Sequence, residues 1–408
     1  MKPRVLYVTH RVPFPPDRGD RIRTWNILKF LATRADVDLA CLADEPVEEA
    51  TMTALHRTAR RVAIIPHTGR RRHVRGAWSM LRGGTVTEGM FRCNVLKRTI
   101  QSWNNDTIYS AAIASSSGVA SCVLPPVVQT TGQVWVDLID VDSQKWLDYS
   151  NASQWPMSSV YGCEGRRLRA LESRLTKQTD RMLVVTEAER ELFGSFCDSS
   201  SVQVVGNGVD TGYFAPSHIP ATPFSCTFVG VMNYRPNVDA VCWFAREVWP
   251  GLRSRFPQAT FNIVGKSPAP DVVELGAIDG IHVTGSVPDV RPWLHKASCI
   301  VVPLQIARGV QNKVLEAMAC GRPIVCSPAP LQGLNAEPGL QLLRAESSDE
   351  WVQHVSHIFE DPQRANELGL AANAWVQMNH RWETYLEPVC DLLERRPQLT
   401  TSKMEPLS

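Results

Sequence analysis

The stretch 302-VPLQIARGVQNKVLEAMACGRPIV-325 opens in an apolar strand and turns through Arg308-Gly309. It runs as an amphipathic helix from about Gln311 to Cys320, breaks at Gly321 and re-enters an apolar strand. One carboxylate, Glu316, stands on that helix among apolar neighbours. The same strand–helix alternation extends outward in both directions. In the first half, strands are expected at 4–9, 36–42, 61–66, 108–114, 134–138, 181–186 and 202–205, with helices at 20–34, 89–103 and 158–179. In the second half, strands are expected at 225–230, 259–265, 281–285, 299–303 and 323–327, with helices near 237–255, 289–297, 311–320, 348–359 and 362–377. Alternation at this spacing predicts parallel sheets covered on both faces, and two successive sets predict two doubly wound α/β domains.

Length agrees with that count, since 408 residues correspond to two or three domains at roughly 150 residues each. The break falls near 206-GNGVDTGYFAPSHIPATP-223, which is rich in Gly, Pro and Thr and has no helical period. The expected division is residues 1–205, residues 206–379, a last helix over 380–395 and a polar tail, 396–408, that stays disordered. Hydrophobic content of 44% and charged content of 21% suit a soluble protein with large cores, and a net charge of +2 implies no global polyanion partner. The eleven cysteines include no C-x-x-C and lie mostly in apolar runs, which predicts buried thiols in a reducing compartment rather than a disulfide framework or zinc site. The N-terminus lacks the roughly 7–15-residue apolar core of a signal peptide, and no run approaches the ~20 apolar residues of a membrane span. The expected location is the cytoplasm, with peripheral attachment to the inner face of the cytoplasmic membrane as a candidate.

Several stretches then line up: 206-GNGVDTGYF-214, the strand ending at Gly230, 262-NIVG-265, 282-HVTGSVPDVRPWL-294 and the opening residues. Together they resemble the retaining glycosyltransferases of family four, over nearly the whole chain and most strongly from 202 to 330. Within that group, 137-DLIDVDSQKW-146, 228-FVGVMNYRPNVDA-240 and 308-RGVQNKVLEAMACGRPIV-325 resemble the bacterial sugar transferases associated with exopolysaccharide and exosortase (PEP-CTERM) gene clusters. The resemblance implies the GT-B fold: two Rossmann-like domains facing a central cleft, acceptor in the first and nucleotide-sugar in the second, with the last helix crossing back to the first domain.

On that reading the donor is held beyond the carboxyl ends of the second domain's strands. The segment 309-GVQNK-313 follows a strand and opens a helix, so backbone N–H groups and the positive helix end favour a phosphate there. Gly309 permits close approach, Val310, Gln311 and Asn312 line the turn, and Lys313 adds charge. Glu316 is placed to accept hydrogen bonds from both ribose hydroxyls. The family usually carries two glutamates separated by seven residues; Glu316 matches the second, and Arg308 stands where the first belongs. Further donor contacts are expected from Gly19, Gly230, Asn233, Arg235, Lys266, Gly285 and Val287. Arg235, Lys266, Arg308 and Glu316 are assigned to the chemical step, the cations stabilising charge on the leaving diphosphate.

The acceptor side is read from 10-HRVPFPPDRGDRIRTW-25 and 137-DLIDVDSQKW-146. His10 is a strand-end histidine, Arg21 and Arg23 suit an anionic acceptor, the strand-end acids Asp137, Asp140 and Asp142 suit sugar hydroxyls or general-base work, and Lys145 follows them. Plainer readings stay open. Glu316 is also a solvated helix carboxylate, Asn312, Lys313, Arg235 and Lys266 surface residues, His10 structural, Asp20 a helix cap, and the acids capping groups.

Between Ala50 and Thr87 there is no acid, but Arg57, Arg60, Arg61, Arg70, Arg71, Arg72, Arg75 and Arg82 are present with Trp78, Met80 and Leu81. An anionic membrane surface is the candidate partner for this basic stretch, and an ordinary solvated face is its alternative. The expected function is transfer of a sugar from a nucleotide-sugar to a lipid-linked glycan in exopolysaccharide or cell-surface polysaccharide synthesis. No cofactor or metal is required on this reading, and nucleic acid is not a partner. A nucleotide-sugar epimerase on the same frame and a catalytically inactive scaffold are the rival readings.

Overall fold

The computed structural model describes residues 2–69, 71–307 and 310–394. Arg308 and Gly309 of the expected phosphate turn, Arg70 of the basic stretch and the expected disordered tail, 396–408, lie outside the described residues. Two compact units emerge. One runs to Val205 and resumes at Leu386; the other spans Gly206–Tyr385.

The first unit is built on seven strands: β1 (Arg4–Thr9), β2 (Asp36–Ala43), β3 (Arg61–Pro66), β4 (Ala111–Ser115), β5 (Val134–Ile139), β6 (Arg181–Val184) and β7 (Val202–Val204). They form one parallel sheet in the order β3-β2-β1-β4-β5-β6-β7. Such strands are covered on both faces and read as unbroken apolar runs; β4, 111-AAIAS-115, is buried throughout. The helices that cover it are α1 (Gly19–Arg34), α2 (Glu49–Thr58), α3 (Arg71–Leu81), α4 (Val86–Phe91), α5 (Asn94–Asp106), α6 (Asp142–Asn151), α7 (Met157–Leu175) and α8 (Glu187–Gly194).

The second unit has six strands: β8 (Ser225–Val229), β9 (Thr260–Val264), β10 (Ile281–Gly285), β11 (Cys299–Val302), β12 (Ile324–Cys326) and β13 (Leu343–Arg344). Their order is β10-β9-β8-β11-β12-β13, again all parallel. Its helices are α9 (Arg235–Trp243), α10 (Trp249–Arg255), α11 (Pro270–Glu274), α12 (Arg291–Lys296), α13 (Asn312–Ala319), α14 (Ser348–Glu360), α15 (Pro362–Asn379) and α16 (Trp382–Leu386). Each unit encloses its own apolar core, one within residues 6–202 and the other within 209–376.

Three expected helices are interrupted, each for a local reason. The one expected over 237–255 is α9 and α10 joined by a wide turn at Phe244–Val248, because Pro250 cannot donate its share of the helical ladder. The one expected over 380–395 stops at Leu386 and continues as a 3-10 turn, Glu387–Leu393, where Pro388 imposes the same constraint. The one expected over 89–103 is α4 and α5 with a turn at Arg92–Cys93, which seats the Phe91 ring beside Gly118 while Leu96 and Ile100 are fully buried. All eleven cysteines are free, and among the described residues no helix is long and apolar enough to cross a membrane.

Candidate active site

In a doubly wound sheet, ligands settle beyond the carboxyl ends of the strands where strand order reverses direction. In the second unit that switch lies between β8 and β11. The segment after β8 begins with Gly230, and a side chain there would press on Asn237 Nδ2 at 2.8 Å. Asn237 is buried in the first turn of α9 and donates from Nδ2 to Val231 O at 2.9 Å. Its Oδ1 accepts from Lys313 Nζ at 2.6 Å, and that ammonium lies 4.7 Å from the centre of the Phe228 ring. Lys313 therefore ties the first turn of α13 to the loop after β8, across the switch.

The start of α13 is polar and half-buried. Gln311 precedes it in an extended conformation and makes no capping bond through its side chain, and Asn312 Oδ1 is buried with no hydrogen-bond partner. Val310 is half-buried against the core. Glu316, one turn into the helix, is half-buried; its backbone oxygen accepts from Cys320 N at 3.0 Å, while among the described residues its carboxylate accepts no hydrogen bond. Burial pushes its carboxyl up to about 7 against the pull of Lys313, and burial pushes the Lys313 ammonium down to about 7 against the pull of Glu316.

The remaining donor candidates follow β9 and β10 on the same edge. Gly265 (φ +154°) accepts no substitute: a Cβ there would fall 1.6 Å from Gly230 O. Its N–H donates to Gly285 O at 3.2 Å, and Gly285 itself has φ +68°. Lys266 and Val287 are half-buried, and Lys266 O accepts from Met232 N at 2.9 Å. Asn233 and Arg235 are exposed; among the described residues Arg235 pairs with Asp239, at 3.5 Å, one turn along α9. Gly230, Lys266, Gly285, Val287, Val310–Lys313 and Glu316 are thus gathered on one sheet edge, with Arg235 at its solvent side.

The first unit also has a polar carboxyl edge. Its switch lies between β1 and β4, and His10, the residue after β1, bridges it with Nδ1 3.2 Å from Ser115 O. His10 Nε2 is 3.3 Å from Asp20 Oδ2, and Arg11 donates to the same oxygen at 2.6 Å. Burial raises the Asp20 carboxyl, but hydrogen bonds and charge from His10 and Arg11 outweigh it and hold the group far below the ordinary carboxylate range. Asp20 is therefore not the helix cap expected from its position: Arg18 holds that place without a side-chain bond, and Gly19, the first helical residue, is exposed.

Two arginines read as acceptor contacts are engaged within the unit. Arg21 is buried, with Asp17 at 3.3 Å, Asp44 at 3.6 Å and Glu45 closer still. Arg23 has no exposure and forms a two-pronged ion pair with Asp137 at 2.8 Å, donating also to Val205 O. Arg23 and Asp137 are corrected from ligand candidates to a buried structural pair, because neither reaches solvent.

Asp140 and Asp142 follow β5, whose last residue, Ile139, takes φ +73°. That is an unusual conformation for a β-branched side chain and marks a tightly held turn. Burial, then the charges of Glu189 and Asp142, push Asp140 up to about 7, and burial raises Asp142 against Lys145, His10 and Arg11. Lys145 is exposed. Two buried acids from other helices, absent from the sequence reading, support this loop: Glu189 accepts from Val141 N at 2.7 Å and Glu172 from Ser143 N at 3.1 Å. The visible signal for Glu172 is its place on the apolar face of α7, between Leu168, Leu171 and Leu175.

The chain is similar to several known proteins. Residues 223–361 match the family described as Glycosyl transferases group 1. Over 250 residues the chain is 27% identical to the GDP-mannose-dependent alpha-(1-6)-phosphatidylinositol monomannoside mannosyltransferase of Mycobacterium tuberculosis, covering 55% of this chain and 64% of that relative. The chain thus spans less than two thirds of the length of the curated relatives it matches. Sucrose-phosphate synthase from Thermosynechococcus elongatus superposes with a TM-score of 0.71 at 15% identity, over 96% of this chain and 98% of that one. Anabaena HepE in complex with UDP and glucose superposes with a TM-score of 0.66 at 14% identity, over 95% and 98%. The fold is that of the GT-B glycosyltransferases, two parallel-sheet Rossmann-like domains, and residues 223–361 within it carry the likeness to the glycosyl transferases of group 1.

Proposed function

We propose that this chain is a retaining glycosyltransferase that takes a sugar from a nucleotide-sugar and passes it to a lipid-linked glycan during surface polysaccharide assembly. The observation that carries this reading is the β8–β11 switch. There Lys313, fixed by Asn237, and Glu316 stand on the first turns of α13, inside the stretch that matches the glycosyl transferases of group 1. An ammonium and a helix N-terminus suit the diphosphate, and the Glu316 carboxylate suits the two ribose hydroxyls. Arg235 and Lys266 supply further positive charge near the developing phosphate, and Arg308 takes the place of the family's other glutamate.

The M. tuberculosis relative is named for GDP-mannose, whereas HepE is seen with UDP, so UDP- and GDP-sugars are both proposed as donors. The acceptor is assigned to the polar edge around His10, Asp140, Asp142 and Lys145. The basic stretch from Arg57 to Arg82 suits peripheral attachment to the inner face of the cytoplasmic membrane. Exopolysaccharide synthesis, in the manner of the PEP-CTERM-associated sugar transferases, is the proposed setting.

A thermal-shift series with UDP-, GDP-, dTDP- and ADP-sugars tests the donor. One of them is expected to raise the melting temperature and, with a glycan acceptor, to release its nucleoside diphosphate. Glu316→Ala is expected to lose both responses while remaining folded. Unchanged donor binding in Glu316→Ala defeats the assignment. We further propose that no metal takes part, so excess chelator is expected to leave turnover unchanged.

A further inference from the structure

Within the basic stretch, α3 gives the apolar residues a definite arrangement. Val74, Trp78 and Leu81 are 67%, 55% and 79% exposed. They recur at i, i+4 and i+7, so they form one stripe along the helix. A monomeric soluble domain has little reason to hold three large apolar side chains in water on a single face.

The opposite face explains why the stripe is held outward. Gly76 is buried, and a Cβ there would lie 2.9 Å from both Met90 and Val86. Across from it, a Cβ on Gly89 would lie 2.9 Å from Gly76 Cα and 2.6 Å from Arg75 O. The two helices α3 and α4 therefore touch backbone to backbone through glycines. The pair is fastened from behind. Glu164 on α7 accepts from Val86 N at 2.6 Å and Thr87 N at 2.9 Å, and Arg167 donates to Gly84 O at 2.9 Å and to Met80 O. With its small face against α4, α3 turns the stripe of Val74, Trp78 and Leu81 to solvent.

One flank is cationic. Arg71, Arg75 and Arg82 are exposed beside the stripe, with the Arg82 guanidinium 4.6 Å from the Trp78 ring centre. Two other arginines of the basic stretch, Arg60 and Arg61, are instead spent on Asp38 within the unit. We propose that this face of α3 is a membrane wedge: Val74, Trp78 and Leu81 enter the headgroup–acyl boundary of an anionic bilayer while Arg71, Arg75 and Arg82 meet its phosphates. Apolar tip, aromatic residue and arginine rim together match the layered chemistry of such a surface. A nucleic acid would use the arginines but has no place for Leu81 and Val74. A second copy of the same face would bring like charges together.

The wedge deepens the reading of a lipid-linked acceptor, and it stands or falls by a measurement separate from donor binding. Full-length protein is mixed with vesicles of neutral phosphatidylcholine, or of phosphatidylcholine with about one third phosphatidylglycerol, and sedimented. Binding to the anionic vesicles is expected to exceed binding to neutral ones at least tenfold and to weaken with added salt. Trp78→Ser/Leu81→Ser is expected to reduce it at least tenfold, and Arg71→Gln/Arg75→Gln/Arg82→Gln to abolish the preference for anionic lipid. Both variants are expected to keep the wild-type melting temperature and its donor-induced rise. Wild-type vesicle binding by the Trp78/Leu81 variant overturns the wedge, as does equal binding to neutral vesicles. Self-association that this variant abolishes, or displacement of vesicles by duplex DNA, also overturns it. Loss of the donor-induced rise in wild-type protein that still binds vesicles defeats the proposed activity and leaves the wedge standing.

Discussion

Glu172 has no exposure, and while one carboxylate oxygen accepts from Ser143 N at 3.1 Å, the other has no partner. Burial pushes this carboxyl up to about 8, with Ser143 opposing and Asp142 reinforcing. The sign of the effect on stability follows. The folded state holds this proton more tightly than the unfolded chain, so its contribution is fully present below the ordinary glutamate value and is lost as pH rises toward 8. Glu172→Gln is expected to leave stability near the wild-type value at pH 5 and to raise it at pH 8.5. Urea unfolding of both proteins at the two pH values checks this; equal destabilisation at both would mean that the acid is needed in its charged form. Residues of this kind were the least legible in the sequence. Arg23 and Arg21 follow the same glycine loop, and nothing in their neighbours distinguishes a buried ion pair from a ligand contact. The difference lies in Asp137, 114 positions away, which the parallel sheet brings under α1.

Elements were more legible, because strand boundaries depend on local apolar runs and on the glycines that end them. β1 and β3 have the expected bounds, and β10 ends at the expected Gly285. What escaped included the short helices α2, α8 and α11, punctuation carried by single prolines inside apolar patterns, at Pro250 and Pro388, and the short edge strand β13, which has only two residues of period to offer. The α3–α4 pair escaped for another reason: its contact is made by Gly76 and Gly89, which leave no hydrophobic periodicity. Gly265 shows how strictly one such residue can bind two elements. It holds φ +154° while its Cα faces Gly230 O, so the ends of β8 and β9 close directly on each other. Gly265→Ala introduces a clash with backbone, which has no rotamer to yield, and is expected to cost about 1–3 kcal/mol or more. Because the displaced strand ends carry Gly230 and Lys266, donor affinity is expected to fall as well, by tenfold or more. A thermal melt with and without nucleotide-sugar reads both effects; an unchanged melt would show that the strand ends separate freely.

At the scale of the molecule, the chain leaves the first unit at Val205 and returns to it at Leu386. The return is not a loose tail. Leu386, Val389 and Leu392 are buried, Gln133 Nε2 donates to Asp391 O at 2.7 Å, and Arg181 pairs with Asp391 at 3.6 Å. The core of the second unit, by contrast, is made wholly from residues between Val209 and Val376. Ending the chain after Tyr385 therefore removes nothing from the second core but strips three apolar side chains from the first unit. At roughly 1.5–3 kcal/mol for each side chain fully buried, the loss is about 5–9 kcal/mol, a large share of a domain's total stability. Such a truncation is expected to lower the unfolding transition of the first unit while the second still responds to nucleotide-sugar. That response is worth about 2.7 kcal/mol at a hundredfold excess over Kd. Hydrogen exchange resolves the two: protection is expected to fall across β5 and β6, next to the lost segment, and to rise with ligand after β8, β9 and α13. If truncation instead erased the ligand response, the donor site would depend on the returning segment, and the second unit would not be the self-sufficient half that its separate core implies.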